Sequence, residues 1–275
     1  MPEVGGLHYE THGRADAPPL ILSSGLGGSA QYWAPNIAAL AKRFHVIAYD
    51  HRGTGRSDRA ALASLSIDDM ADDVVMLLDH LDVARAHLLG HALGGLIGMT
   101  LALRRPERLH RLVVVNGWAR LEAHTARCFD ARLALLRRVG VGAYIAAQPI
   151  FLYPANWLTL NADVVAAELA AQRAHFPDSA TVEQRIAAIR AFDVHDRMGE
   201  ITVPMLAVSS EDDILVPSIA SSRMIERLDL DTGGTHRGGT HWSMGWGGHA
   251  CNVTDPDTFD AVVPRWIADG VLPED

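Results

Sequence analysis

Cysteine is nearly absent from this 275-residue chain: Cys128 and Cys251 are its only two, and they stand far apart. That excludes a disulfide-stapled secreted scaffold, and two free thiols in a reducing cytoplasm are expected. No apolar run approaches the roughly 18–20 residues that span a bilayer, and no signal peptide opens the chain. The start, MPEVGGLHYETHG, reads as an ordinary mature N-terminus. A soluble cytoplasmic protein with no membrane partner is the expectation. There is no basic stripe either, and a net charge of −9 with a pI near 5.8 argues against a nucleic-acid partner. A dinucleotide fingerprint is also missing, since GLGGSA (25–30) has the wrong spacing. No cofactor is expected.

What the chain does have is apolar material, 48% of its residues, enough for a large core. Its length suits one medium domain with an insertion, or two small ones. PLILSSG (19–25), FHVIAYD (44–50), AHLLGH (86–91) and LHRLVVVNG (109–117) are near-continuous apolar runs separated by helical stretches. Such runs indicate a parallel sheet covered on both faces. Between two of them, Ser66 and Asp69 resemble a capping box. Ile67, Met70, Ala71, Val74, Leu78 and Leu81 then share one helical face. From 118 to 198 the pattern becomes Ala-, Leu- and Arg-rich with helical periodicity. This predicts a helical cap inserted after the sixth strand, on a core made of 1–117 and 199–275. Strand signals resume at VPMLAVSS (203–210), a helix follows near Pro217, and a last helix starts at Thr254-Asp255-Pro256. Pro264 is expected to kink or shorten that helix. The glycine-rich stretch 231–249, with its tandem GGTH, reads as a loop plus a weak last strand.

In an open α/β sheet, ligands bind beyond the carboxyl ends of the strands. Four features fall there: SSGLGG (23–28), GHALGG (90–95), SSEDDILVP (209–217) and GGH (247–249). Each alone reads as a turn. Their order of elbow, acid and histidine resembles that of the α/β-hydrolase fold over essentially the whole chain. Asp213 stands four residues before Pro217, and HRGTGRSD (51–58) matches another loop common in these enzymes. A Gly-x-Ser-x-Gly elbow, however, needs serine at position 92, where this chain has Ala92.

NGWARLEAHTARCFDAR (116–132), QPIFLYPANW (148–157) and GGHACNVTDPDTF (247–259) are similar to the RutD-type hydrolases of bacterial pyrimidine utilisation. That family is assigned to hydrolysis of carbamate or of 3-aminoacrylate, and its elbow also reads Gly-His-Ala-Leu-Gly. The resemblance implies that Ala92 is native. A methyl there cannot attack but leaves space about the size of a hydroxyl, where a water could sit and be deprotonated or positioned by His249, itself oriented by Asp213. Backbone N–H groups of Leu26 and Leu93 would form the oxyanion hole.

A small anionic substrate calls for a cation. Arg127 is the first choice and Arg52 and Arg120 are rivals, with solvated faces or ion pairs as their plain readings. Trp118, Tyr153 and Trp157 could close the pocket or simply pack in the core. His241 has the family's usual distance from Asp213, whereas His249 has the family-like surroundings, and His249 is preferred. Cys251 as nucleophile and a metal held by His236, His241 and His249 are weaker readings, so no metal is expected. Two further classes compete: a binding protein that has lost catalysis, and an esterase or cofactor-free oxygenase of the same fold. A homodimer would be unsurprising, although assembly is not legible here.

Overall fold

The computed structural model describes residues 3–59, 64–230 and 239–272. Residues 20–22, 46–48, 88–89, 112–115 and 205–208 are shut off from solvent on both sides, as a central sheet requires. They belong to strands β1 (Glu3–Val4), β2 (Leu7–His12), β3 (Pro19–Ser23), β4 (His45–Tyr49), β5 (Ala86–His91), β6 (Leu109–Val115), β7 (Met205–Ser210) and β8 (Gly239–Met244). The order across the sheet is β1-β2-β4-β3-β5-β6-β7-β8. β1 pairs antiparallel with β2, and β2 with β4, while every later pairing is parallel. The opening segment, read from sequence only as an N-terminus, is thus an antiparallel edge.

The helices are α1 (Ala34–Leu40), α2 (Ile67–His80), α3 (Leu93–Arg104), α4 (Ala123–Arg138), α5 (Val141–Leu152), α6 (Ala155–Leu160), α7 (Ala162–Ala174), α8 (Ser179–Ala191), α9 (Ile219–Leu230), α10 (Cys251–Thr254) and α11 (Pro256–Asp269). Alternation along the strands divides the core. Leu88 and Val114 join α2 and α3 on one face, whereas Leu89, Val113 and Val115 join α1 and α11 on the other. The capping box forms as expected: Ser66 Oγ accepts from Asp69 N at 3.1 Å, and Asp69 Oδ2 accepts from Ser66 N at 2.8 Å.

Pro264 neither ends nor shortens α11, contrary to the sequence expectation; the helix continues to Asp269. Phe259, Val263, Trp266 and Ile267 are buried on both sides of the proline. Their packing offsets the hydrogen bond a mid-helix proline removes, a loss of about 3 kcal/mol. Of the glycine-rich stretch, 239–244 form β8, parallel to β7, and 231–238 lie outside the described residues. Among the described residues, no helix is long and apolar enough to cross a membrane.

Between β6 and β7 the chain makes five α-helices, a short 3-10 helix (His195–Glu200) and no named strand. An antiparallel bridge between Arg120 and Asp193, with an ion pair at 2.6 Å, ties the two ends of this segment together. It docks on the sheet at three places. Thr125 Oγ1 of α4 donates to Leu215 O at 3.0 Å, the end of α5 accepts Ala250 N at Leu152 O at 3.0 Å, and Arg185 of α8 reaches the loop after β3.

Candidate active site

The turn from β5 into α3 sets Ala92 at φ 45°, ψ −110°, a backbone that L side chains rarely adopt. Ala92 N donates to Val115 O at 2.8 Å, which anchors the turn to β6. Glycine is required around it. A Cβ on Gly94 would lie 2.0 Å from Ser23 O, and one on Gly90 would lie 2.3 Å from Gly94 C. The turn and the end of β3 therefore touch backbone to backbone. A Cβ on Gly25 would sit 3.7 Å from Ala92 Cβ, so the loop after β3 lies against the elbow. The N–H groups of Leu26 and Leu93 donate to no group among the described residues. Leu93 also opens α3, whose N-terminal end favours negative charge.

His249 follows two glycines of positive φ, in the loop after β8. Its Nδ1 lies 2.8 Å from Asp213 Oδ2. The other oxygen of Asp213 accepts from Leu215 N at 2.7 Å and Val216 N at 2.9 Å. That carboxylate is fixed by its own loop, so Nδ1 carries the hydrogen and Nε2 is the ring atom left for chemistry. His249 and Asp213 are both buried, 3% and 6% exposed. His241, by contrast, sits within β8 and meets Ser209 Oγ at 2.8 Å. His236 lies outside the described residues. Burial pushes the Cys251 thiol up to about 12, which leaves it a poor nucleophile at neutral pH.

Several residues that sequence reasoning passed over hold this arrangement. The carbonyl of His249 accepts from Asn116 Nδ2 and from His91 Nε2, both at 2.8 Å. Asn116, itself at φ 50°, thereby links the end of β6 to the histidine loop. Burial first, and the neighbouring His249 second, hold the His91 pKa well below the usual histidine value, so its ring is neutral. The His91 ring stacks on Tyr32 at 4.6 Å. Asp212 Oδ1 accepts from Gly248 N at 2.8 Å. From α8, Arg185 Nε donates to Leu26 O at 2.9 Å and Nη2 to Gly25 O at 3.3 Å and His51 Nδ1 at 2.9 Å. Arg185 is 1% exposed, meets no carboxylate in these bonds, and burial lowers its pKa to about 10.

Residues 18–149 match the family described as the alpha/beta hydrolase fold. The chain is 46% identical over 264 residues to the "Putative carbamate hydrolase RutD" of Rhizobium rhizogenes, covering 95% of this chain and 97% of that one. It is 51% identical over 263 residues to the protein of the same name from Variovorax paradoxus, covering 95% and 96%. The chain belongs to the RutD family. A solved enol-lactonase from Burkholderia xenovorans is 27% identical, with a TM-score of 0.83 over 96% of this chain and 95% of its own.

In this RutD-family chain the arginines expected at the substrate divide. Arg52 pairs with Asp73, and Arg120 with Asp193 and Asp196. Arg127 is exposed on α4 and makes no hydrogen bond or ion pair among the described residues. Trp118 is buried against Phe129, with ring centroids 6.4 Å apart, and lines a cavity of about 220 Å³ together with Arg120 and Arg223. Tyr153 is buried too, donates to Glu168 Oε2 at 2.8 Å, and lies against Trp157 at 4.7 Å. It directly follows Leu152, whose carbonyl bonds the histidine loop, whereas Arg127 is one turn from the acid loop. The cation at the elbow side is Arg185, which no motif flagged.

Proposed function

We propose that the protein hydrolyses a C–N bond of a small anion of the carbamate class, in pyrimidine utilisation, by activating water rather than by forming an acyl-enzyme. One observation carries this reading: a buried His249–Asp213 pair at 2.8 Å persists beside an elbow whose side chain is the methyl of Ala92. A methyl cannot attack, but it leaves room for a water. His249 Nε2 removes a proton from that water as its oxygen bonds to the carbamate carbon. The charge that develops on the substrate oxygen is met by the N–H groups of Leu26 and Leu93. His249 then returns the proton to the departing nitrogen, the C–N bond breaks, and ammonia and bicarbonate leave. Asp213 stabilises the transient imidazolium.

The magnitudes are sufficient for such a substrate. One oxyanion donor contributes about 10²–10³ in rate, and sites stripped of their triad keep about 10³–10⁴ over water. That is too little for a stable amide but enough for a molecule that already decomposes in water. Arg185 supplies the positive field that a carboxylate substrate requires. In this reading 118–198 act as the cap on a core of 1–117 and 199–275, and their docking on the acid, histidine and oxyanion loops supports it.

The test compares ammonia release from freshly made carbamate with the unaltered protein and with His249→Ala. The unaltered protein should exceed the spontaneous rate and the variant should not. If both equal the spontaneous rate, the enzymatic reading fails and a binding protein remains. A parallel series with 3-aminoacrylate, whose enamine carbon could take the same water, decides between the two substrates.

A further inference from the structure

A second concentration of basic residues lies at the opposite end of the strands. An open cleft of about 470 Å³ is lined by Pro18, Arg85, His87, His110, Arg111 and Pro204. All of these sit at the entrances of parallel strands: Pro18 just before β3, Arg85 before β5, His110 and Arg111 in the first turns of β6, and Pro204 before β7. His87 and His91 are four steps apart on β5, about 13 Å at strand rise. The cleft is therefore separate from the candidate active site.

We propose that this cleft binds a small tetrahedral oxyanion of the phosphate class. Its lining contains four basic side chains and no acidic one, in a chain of net charge −9. The two arginines are held in place by carbonyls rather than by carboxylates. Arg85 Nε donates to Leu109 O at 2.8 Å, and Arg111 Nη1 to Ile267 O at 2.7 Å and Ala268 O at 2.9 Å. Both keep further N–H groups for a ligand. His87 is 7% exposed, and its Nδ1 is buried without a hydrogen-bond partner. Its ring lies 5.2 Å from that of His110, and Phe44 closes its other side at 5.8 Å. Buried polar atoms without partners are uncommon in folded proteins and mark places where a ligand or water belongs.

The groups facing the two histidines are the histidines themselves, Arg85 and Arg111. The end of α11 adds the carbonyls of Ile267 and Ala268, which hold Arg111, and Asp269, which pairs with Arg43 at 4.0 Å. Burial first, and then these like charges, lower His87 to about 4 and hold His110 below its ordinary value. A bound dianion would offset that repulsion and let the imidazoles take up protons. Binding should therefore tighten as pH falls. Inorganic phosphate and a phosphomonoester share this chemistry.

The experiment titrates the full chain with sulfate, which keeps its charge across the range, at constant ionic strength set with chloride, at pH 7.5 and pH 6.0. Inorganic phosphate and ribose 5-phosphate form the other two arms. Expected is saturable one-to-one heat for sulfate, about threefold or more tighter at pH 6.0, with proton uptake seen as a dependence on buffer ionisation heat. Arg85→Gln and His110→Gln, both on exposed residues, should weaken binding about tenfold with unchanged thermal unfolding. Saturation by phosphate alone assigns the site to the free ion, and tighter ribose 5-phosphate assigns it to an ester. Absence of saturable heat for all three, or affinity indifferent to both substitutions, overturns the proposal. None of these readouts depends on carbamate turnover.

Discussion

Arg185 Nε donates to the carbonyl oxygen of Leu26 at 2.9 Å, so one helix of the inserted segment grips the loop that lies against the elbow. Its Nη2 extends the grip to Gly25 O and His51 Nδ1. Arg185→Gln should lower kcat about 10–100-fold, because both the aim of the donor and the local positive field are lost. Arg185→Lys keeps a charge but not the fork. It should lower kcat comparably while leaving KM for the anion closer to that of the unaltered protein. Steady-state ammonia release separates the two, and equal kcat in all three proteins would remove Arg185 from the site.

Ala92→Ser places a hydroxyl on an elbow to which the proposed mechanism assigns a histidine, an acid and two backbone donors. This variant should release a burst of about one equivalent of nitrophenolate from p-nitrophenyl acetate, the mark of an acyl-enzyme. The unaltered protein should give no burst. A burst-free serine variant would mean that His249 Nε2 does not reach the elbow.

Asp213→Asn tests the tautomer. The amide oxygen can still accept from Leu215 N and Val216 N, leaving its NH₂ to face His249 Nδ1. The ring hydrogen must then move to Nε2, and the base is lost. The rate above background should fall about 10²–10⁴-fold with little change in unfolding temperature. A larger structural loss, seen by calorimetry, would instead make Asp213 a loop clamp.

The sheet and the order of its chemistry were legible in the sequence because β3 to β7 are near-continuous apolar runs, each followed by a turn rich in glycine or, after β7, in acidic residues. Asp213 and His249 follow from those turns. Arg185 does not: RIAAIRA reads as one more arginine on a helix, and nothing in its spacing says that it points inward. Asn116 and Asp212 were equally silent, since their partners are backbone groups 132 and 36 residues away. Long-range contacts of that kind leave no periodicity. Pro264 misled for the opposite reason, because a local rule was overridden by packing on both sides of it.

Asp260 gives a pH signature unrelated to catalysis. Burial first, and Asp257 second, raise its carboxyl to about 6, although Asn36 Nδ2 donates to it at 2.9 Å. An unfolded aspartate titrates near 3.9. The folded state therefore holds this proton more tightly, and the stability it contributes is full below about 4 and lost as pH rises through about 6. Asp260→Asn should raise the unfolding temperature at pH 7.5 and should bring no advantage at pH 3.5. Thermal scans at both values check it, and an equal gain at both would point to some other cause.

The backbone at Ala92 remains in its rare conformation although the side chain it displays has nothing to react with. Backbone of this kind costs of order 1–3 kcal/mol and persists only where its surroundings impose it. Here those surroundings are Val115 O and the crowding of Gly90, Gly94 and Ser23. The strain is thus a property of the scaffold and not of the nucleophile. On the proposed reading, covalent and water-borne hydrolysis differ at this elbow by a single oxygen atom. Ancestors and descendants of such a chain could cross between the two by one codon, without rebuilding anything around it.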